Sequence, residues 1–184
     1  CDVYRPEGVN QAQLLVADAP QESLTPRGCG RSYGDASLNS EGAVVLSERL
    51  DHMMSFDETT CVLRCQSGVT LAEIIEHLLP RGYFFPVTPG TKSISIGGAI
   101  AADVHGKNHH SSGSMSAWVD RFSLLTGTNE ILDCSREQNP EVFWATIGGM
   151  GLTGLILEAE VRLKRVETAF MDADYEQVPN IDTL

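Results

Sequence analysis

Residues 88–113 read TPGTKSISIGGAIAADVHGKNHHSSG, with five glycines, three histidines and no long apolar face. Glycine lets a backbone approach something bulky, because no Cβ stands in the way. Polar side chains gathered beside such glycines mark a site in preference to a core. The stretch reads as one half of a ligand cradle that the rest of the chain should complete.

The other half is sought among the remaining glycine clusters. Residues 23–39, SLTPRGCGRSYGDASLN, read as a loop punctuated by Gly28, Gly30, Gly34 and Asp35. Their G-x-G-x-x-x-G spacing is neither a Rossmann fingerprint nor a P-loop. With Arg31, Ser32 and Tyr33 alongside, successive N–H groups there could form a concave anion nest. A surface loop with unusual turns is the plainer alternative. Gly149, Gly151 and Gly154 do spell G-x-G-x-x-G. That motif needs a strand before it and a helix after it, and here the order is reversed. A Rossmann reading is therefore excluded.

The scaffold is legible from patterning. Residues 9–17 read as a short helix, and residues 43–46 and 60–67 as strands. The clearest helix covers 71–79: Thr70 and Glu73 form a capping box, and Leu71, Ile74, Ile75, Leu78 and Leu79 form an apolar stripe. Residues 118–126 and 130–134 read as strands joined by a turn at 127–129. Asn139 as N-cap and Pro140 as first helical residue open another helix. Residues 155–166 alternate apolar and charged, as in a strand buried on one side.

The chain has 184 residues, 42% hydrophobic and 21% charged, with a net charge of −12. That balance supports a folded core and argues against a nucleic-acid partner, which would need clustered Lys and Arg. No apolar run is long enough to span a membrane. Five cysteines (Cys1, Cys29, Cys61, Cys65, Cys134) form no CxxC pair. Cys61 and Cys65, about 13 Å apart at strand rise, are too far apart to bridge. Free thiols in a reducing, cytoplasmic setting are expected. His105 and His109 at i, i+4, with Asp103, could suggest a metal, but Gly106 interrupts any helix there and no metal is expected. Histidines donating to ligand or backbone oxygens, or packing as neutral rings, are the alternatives.

Three segments taken together, PRGCGRSYGD at 26–35, TPGTKSISIGGAIAADVHGKNHH at 88–110 and FWATIGGMGLTG at 143–154, resemble the FAD-binding domain of the vanillyl-alcohol oxidase (PCMH-type) flavoprotein family. The resemblance covers about residues 25–165 and is strongest to the branch that oxidises a decaprenyl-phosphoribose. It implies an α+β fold of two lobes, residues 1–86 and a larger mixed-sheet lobe 87–184, with FAD between them. Arg27, Gly28, Cys29, Gly30, Arg31, Ser32, Tyr33 and Gly34 would wrap the diphosphate. Gly90, Thr91, Ser95, Ile96, Gly97 and Gly98 would pass beneath it and the ribityl chain. Ala102, Asp103, Val104 and His105 would run along the flavin, and Ile156 would lie near the adenine.

Many relatives bond a histidine of G-x-G-H-S to the flavin; Arg31 stands there in this chain, so non-covalent FAD is implied. Lys107 is implied to be catalytic, facing the substrate side of the ring system, where a cation stabilises the charge that arrives with hydride. The implied activity is oxidation of a sugar or polyol CH–OH group, with an aldonolactone- or alditol-type oxidase as one alternative and a non-catalytic nucleotide-binding module as another. Family enzymes add a substrate domain and, in this branch, work with a partner reductase that completes an epimerisation. That domain is absent from these residues, so the chain alone is expected to show no turnover. Membrane association is an expectation for the full-length enzyme only.

Overall fold

Four consecutive apolar residues, Ala43 to Leu46, are all buried, as the centre of a small parallel sheet requires. The computed structural model describes residues 2–19 and 23–183; Cys1 and Leu184 lie outside the described residues. In chain order the elements begin with β1 (Asp2–Tyr4), α1 (Val9–Asp18), β2 (Leu24–Arg27) and β3 (Ala43–Leu46). Next come β4 (Met53–Asp57), β5 (Val62–Gln66), α2 (Leu71–Leu78), β6 (Tyr83–Phe84), α3 (Ile96–Ala101) and α4 (His109–Ser112). The last are β7 (Val119–Leu125), β8 (Ile131–Ser135), α5 (Pro140–Thr146), β9 (Leu155–Arg162) and β10 (Lys164–Arg165).

The small sheet has the order β1-β3-β2, with both edge strands parallel to β3. Parallel neighbours need a long crossover, and between β2 and β3 the glycine-rich residues 28–42 are that crossover. Residues 24–27, expected as loop, are therefore a strand. Pro26 is tolerated because β2 lies at the sheet edge.

The larger sheet has the order β4-β5-β9-β7-β8 and is antiparallel in every pairing. The parallel pairings are thus confined to the small sheet, and the larger sheet is not itself mixed. Its centre, β9, buries Leu155, Leu157, Ala159 and Val161 and turns Arg162 outward, as its alternation predicts. On the covered face lie α2, α3 and α5, where Phe122 and Phe143 stack at 5.2 Å and 13°. The open face carries ion pairs, Arg64 with Glu158 and Arg162 with Asp120. β4 and β5 belong to this sheet, so a chain division at residue 86 would cut through it.

Helix α2 keeps its sequence signals. The Thr70 side chain accepts from Glu73 N, and the Glu73 carboxylate accepts from Thr70 N. Asn139 departs from expectation: at φ 49 its side chain caps nothing in α5, and Nδ2 donates to Asp133 O instead. Cys61 sits in a turn at φ 59, not in a strand. The four described cysteines are free thiols.

A second, smaller core joins the two sheets. Ala12 and Val45 from the small sheet's side meet Leu50, Leu125, Leu155 and Leu157. No helix among the described residues is long and apolar enough to cross a membrane.

Candidate functional site

Where the C-terminal ends of β2 and β3 meet α3 and the start of β9, a cleft opens. Ligands of parallel sheets sit beyond the carboxyl ends of the strands, which is where the glycine-rich crossover leaves β2.

One wall is residues 28–32. Gly30 has φ +62 and Gly34 φ +64, left-handed values that glycine adopts freely. Among the described residues, no backbone N–H from Cys29 to Gly34 donates to a protein acceptor. Arg27 holds this loop: its guanidinium donates to Ser37 O and Oγ at 3.1 Å each. It also crosses Gly30 so closely that a Cβ there would lie 2.2 Å from Nη2. Burial, with Glu48 adding charge, pushes the Cys29 thiol up from its ordinary value.

The floor is the N-terminus of α3. Ser95 Oγ accepts from Gly98 N at 3.3 Å. Ile96 N donates to Val69 O and Gly97 N to Ser67 O, each at 2.8 Å. These first N–H groups are already used, so α3 offers few free donors, and the residues 29–34 loop is the open set. Gly97 is required because a Cβ would stand 2.8 Å from Ser67 Cβ.

The cleft brings together Arg27, Gly28, Cys29, Gly30, Arg31, Ser32, Ser95, Gly97, Gly98, Ala102, Val104 and Ile156. Other residues expected at the site lie outside its lining. Tyr33 is fully exposed, and Gly34, Gly90 and Thr91 are on the surface. Ile96 is a core residue with no exposure. Asp103, at φ +40, spends its carboxylate on Ser114 Oγ and Ser116 N. His105 and His109 meet edge to face at 5.8 Å between ring centroids. Lys107 is exposed and forms no ion pair among the described residues.

Sequence reasoning missed Ser47, Ser67 and Met150, which line the cleft together with Gly151 of the third glycine cluster. Ser47 directly follows β3 and Ser67 directly follows β5, a placement that polar residues at strand ends could have signalled. Met150 N donates to Ala101 O at 2.9 Å, and Gly151 lies against Pro26, which closes the rim. The 148–154 glycines thus serve backbone approach. At Gly154 a Cβ would lie 2.3 Å from Leu125 O.

A family model described as an FAD binding domain matches residues 3–135. Decaprenylphosphoryl-beta-D-ribose oxidase of Mycolicibacterium smegmatis is 38% identical over 96% of this chain and 39% of its own length. D-arabinono-1,4-lactone oxidase of Candida glabrata is 27% identical over 98% of the chain and 35% of its own. D-2-hydroxyglutarate dehydrogenase of Stutzerimonas stutzeri is 27% identical over 89% and 37%. The chain therefore spans well under half the length of these curated relatives.

Proposed function

The chain belongs to the FAD binding domain family, and from that premise we propose that its cleft holds FAD non-covalently as the cofactor half of an oxidoreductase. The observation that carries this reading is the set of unpaired backbone N–H groups at residues 29–32 along the cleft wall. Such a nest can meet phosphate oxygens without side-chain cations, which suits a chain of net charge −12. The lining also offers a polar side chain: the buried Ser67 hydroxyl lacks a protein partner.

In the proposed arrangement residues 28–32 wrap the diphosphate while Arg27 holds their loop. Ser95, Gly97 and Gly98 pass beneath, Ala102 and Val104 run along the flavin, and Ile156 lies toward the adenine. Arg31 offers no nucleophile for a flavin link, which is the ground for non-covalent attachment. When bound, FAD supplies an acceptor for hydride from a CH–OH carbon. Lys107 has no internal partner and follows the cleft-lining residues Ala102 and Val104. We assign its ammonium to stabilising the charge that accumulates on the substrate side. The boundary between the lobes is drawn after Leu50, not at residue 86, because β4 and β5 share the antiparallel sheet.

For the whole protein we read oxidation of a sugar or polyol CH–OH group, like that of decaprenylphosphoryl-ribose oxidase, with a separate reductase completing an epimerisation. The 38% identity to that oxidase supports this reading. A lactone-forming or alditol substrate is the second reading, supported by the arabinono-lactone oxidase matches.

The test is to purify the chain, record flavin absorbance, denature it and analyse peptide and supernatant by mass spectrometry. Free FAD in the supernatant is expected. A flavin-modified peptide would refute non-covalent binding, and binding of ATP or NAD without FAD would refute the reading as a whole.

A further inference from the structure

Among the described residues, three of the four buried polar side chains, Ser47, Ser67 and Ser95, line the cleft, and the fourth, Thr146, does not. Ser95 is engaged as the cap of α3. Ser67 differs. It is 1% exposed, and its Oγ has no hydrogen-bond partner.

The backbone N–H groups around it are engaged elsewhere. Ser67 N donates to Leu157 O, and Ser67 O accepts from Gly97 N. Gly68 N is taken by Leu50 O and Ile96 N by Val69 O. A buried hydroxyl without a partner is costly, and such groups in native proteins call for an explanation. Residues 28–32 of the crossover line the same cleft, and the N–H groups of 29–32 are also unpaired. Unpaired polar groups thus occur at two places in the lining of one cleft.

We propose that Ser67 is a cofactor-binding residue whose hydroxyl donates a hydrogen bond to an acceptor atom of FAD held in the cleft. This rests on the reading of the cleft as an FAD site. An unbonded serine hydroxyl moves between staggered wells with nothing to break, so Ser67 can turn to the ligand without disturbing β5 or α3. Because the donor is neutral, it adds no charge to the site.

The experiment compares the chain and its Ser67→Ala variant, both stripped of flavin, by thermal melting and by FAD titration of flavin fluorescence. Alanine removes one oxygen and keeps the contact with Gly97. The expected result is an unchanged or slightly raised melting temperature without FAD, together with FAD binding weakened about three- to tenfold. A lowered melting temperature with unchanged affinity would mean the hydroxyl serves the fold, and would overturn the proposal. So would no change in either quantity. If the unaltered chain binds no FAD, the reading of the cleft fails together with this one; if it binds and only the variant comparison fails, Ser67 alone is refuted.

Discussion

Gly28 and Ser95 approach so closely that a Cβ on Gly28 would stand 2.2 Å from Ser95 Oγ. The contact joins the end of β2 to the cap of α3, a seam within the lining of the cleft.

Gly28→Ala should therefore act through Ser95. The new methyl forces the hydroxyl away from Gly98 N, which removes a cap worth about 1 kcal/mol. A melting temperature lower by about 2–4 °C is expected, with FAD binding weakened. In a Ser95→Ala background the nearest remaining atom, Cβ, is 3.4 Å away. The second substitution should then cost little, so the double variant is less destabilised than the two singles added together. Simple additivity in thermal melts would show that the seam does not work this way.

The stacked pair Phe122 and Phe143 fixes α5 to the sheet, with neither ring more than 1% exposed. Phe143→Ala should cost about 3–5 kcal/mol through the cavity it leaves. Arg162→Ala breaks an ion pair with Asp120 on the open face, where such pairs contribute at most about 1 kcal/mol. Urea unfolding should rank the two in that order, and similar midpoints would contradict it.

Sequence patterning revealed what local physics fixes. Helix α2 announces itself because Thr70, Glu73 and the Leu71, Ile74, Leu78 stripe all act within a few residues. Strand β9 is legible because its two faces meet opposite environments. Strands β1, β6 and β10 have three or two residues each and exist only through their partners. Edge strand β4, MMSFD, shows no alternation because most of it is exposed. Helix α3 was hidden by Gly97 and Gly98, which are there for close approach. At the site, the glycine runs pointed to the cleft walls, but Ser47 and Ser67 are single hydroxyls without a motif. Their meaning appears only when β3 and β5 end beside the same space.

Lys107 separates a surface role from a redox one. Its ammonium is exposed and unpaired, so Lys107→Gln should change stability by less than about 0.5 kcal/mol. If the cation favours the reduced cofactor by about 1.4 kcal/mol, the two-electron midpoint potential of bound FAD falls by about 30 mV. Spectroelectrochemical titration of both proteins measures this. An unchanged potential would remove Lys107 from the redox site.

Cys65 lies in β5 with no exposure, and burial pushes its thiol up to about 12 from an ordinary 9.0. The folded chain therefore holds this proton more tightly than the unfolded chain. Its contribution is complete below pH 9.0 and is lost as pH rises through about 12. Tyrosines and lysines titrate in the same window, so the useful quantity is the difference between two proteins. Stability of the unaltered chain should fall more steeply above pH 9.0 than that of Cys65→Ala, by up to about 4 kcal/mol over the window. Parallel alkaline limbs in urea unfolding would mean that the thiol ionises as readily in the fold as outside it. A thiol reagent gives an independent check: below that pH range Cys65 should react only after unfolding, while half-buried Cys29 reacts sooner, and more slowly once FAD occupies the cleft.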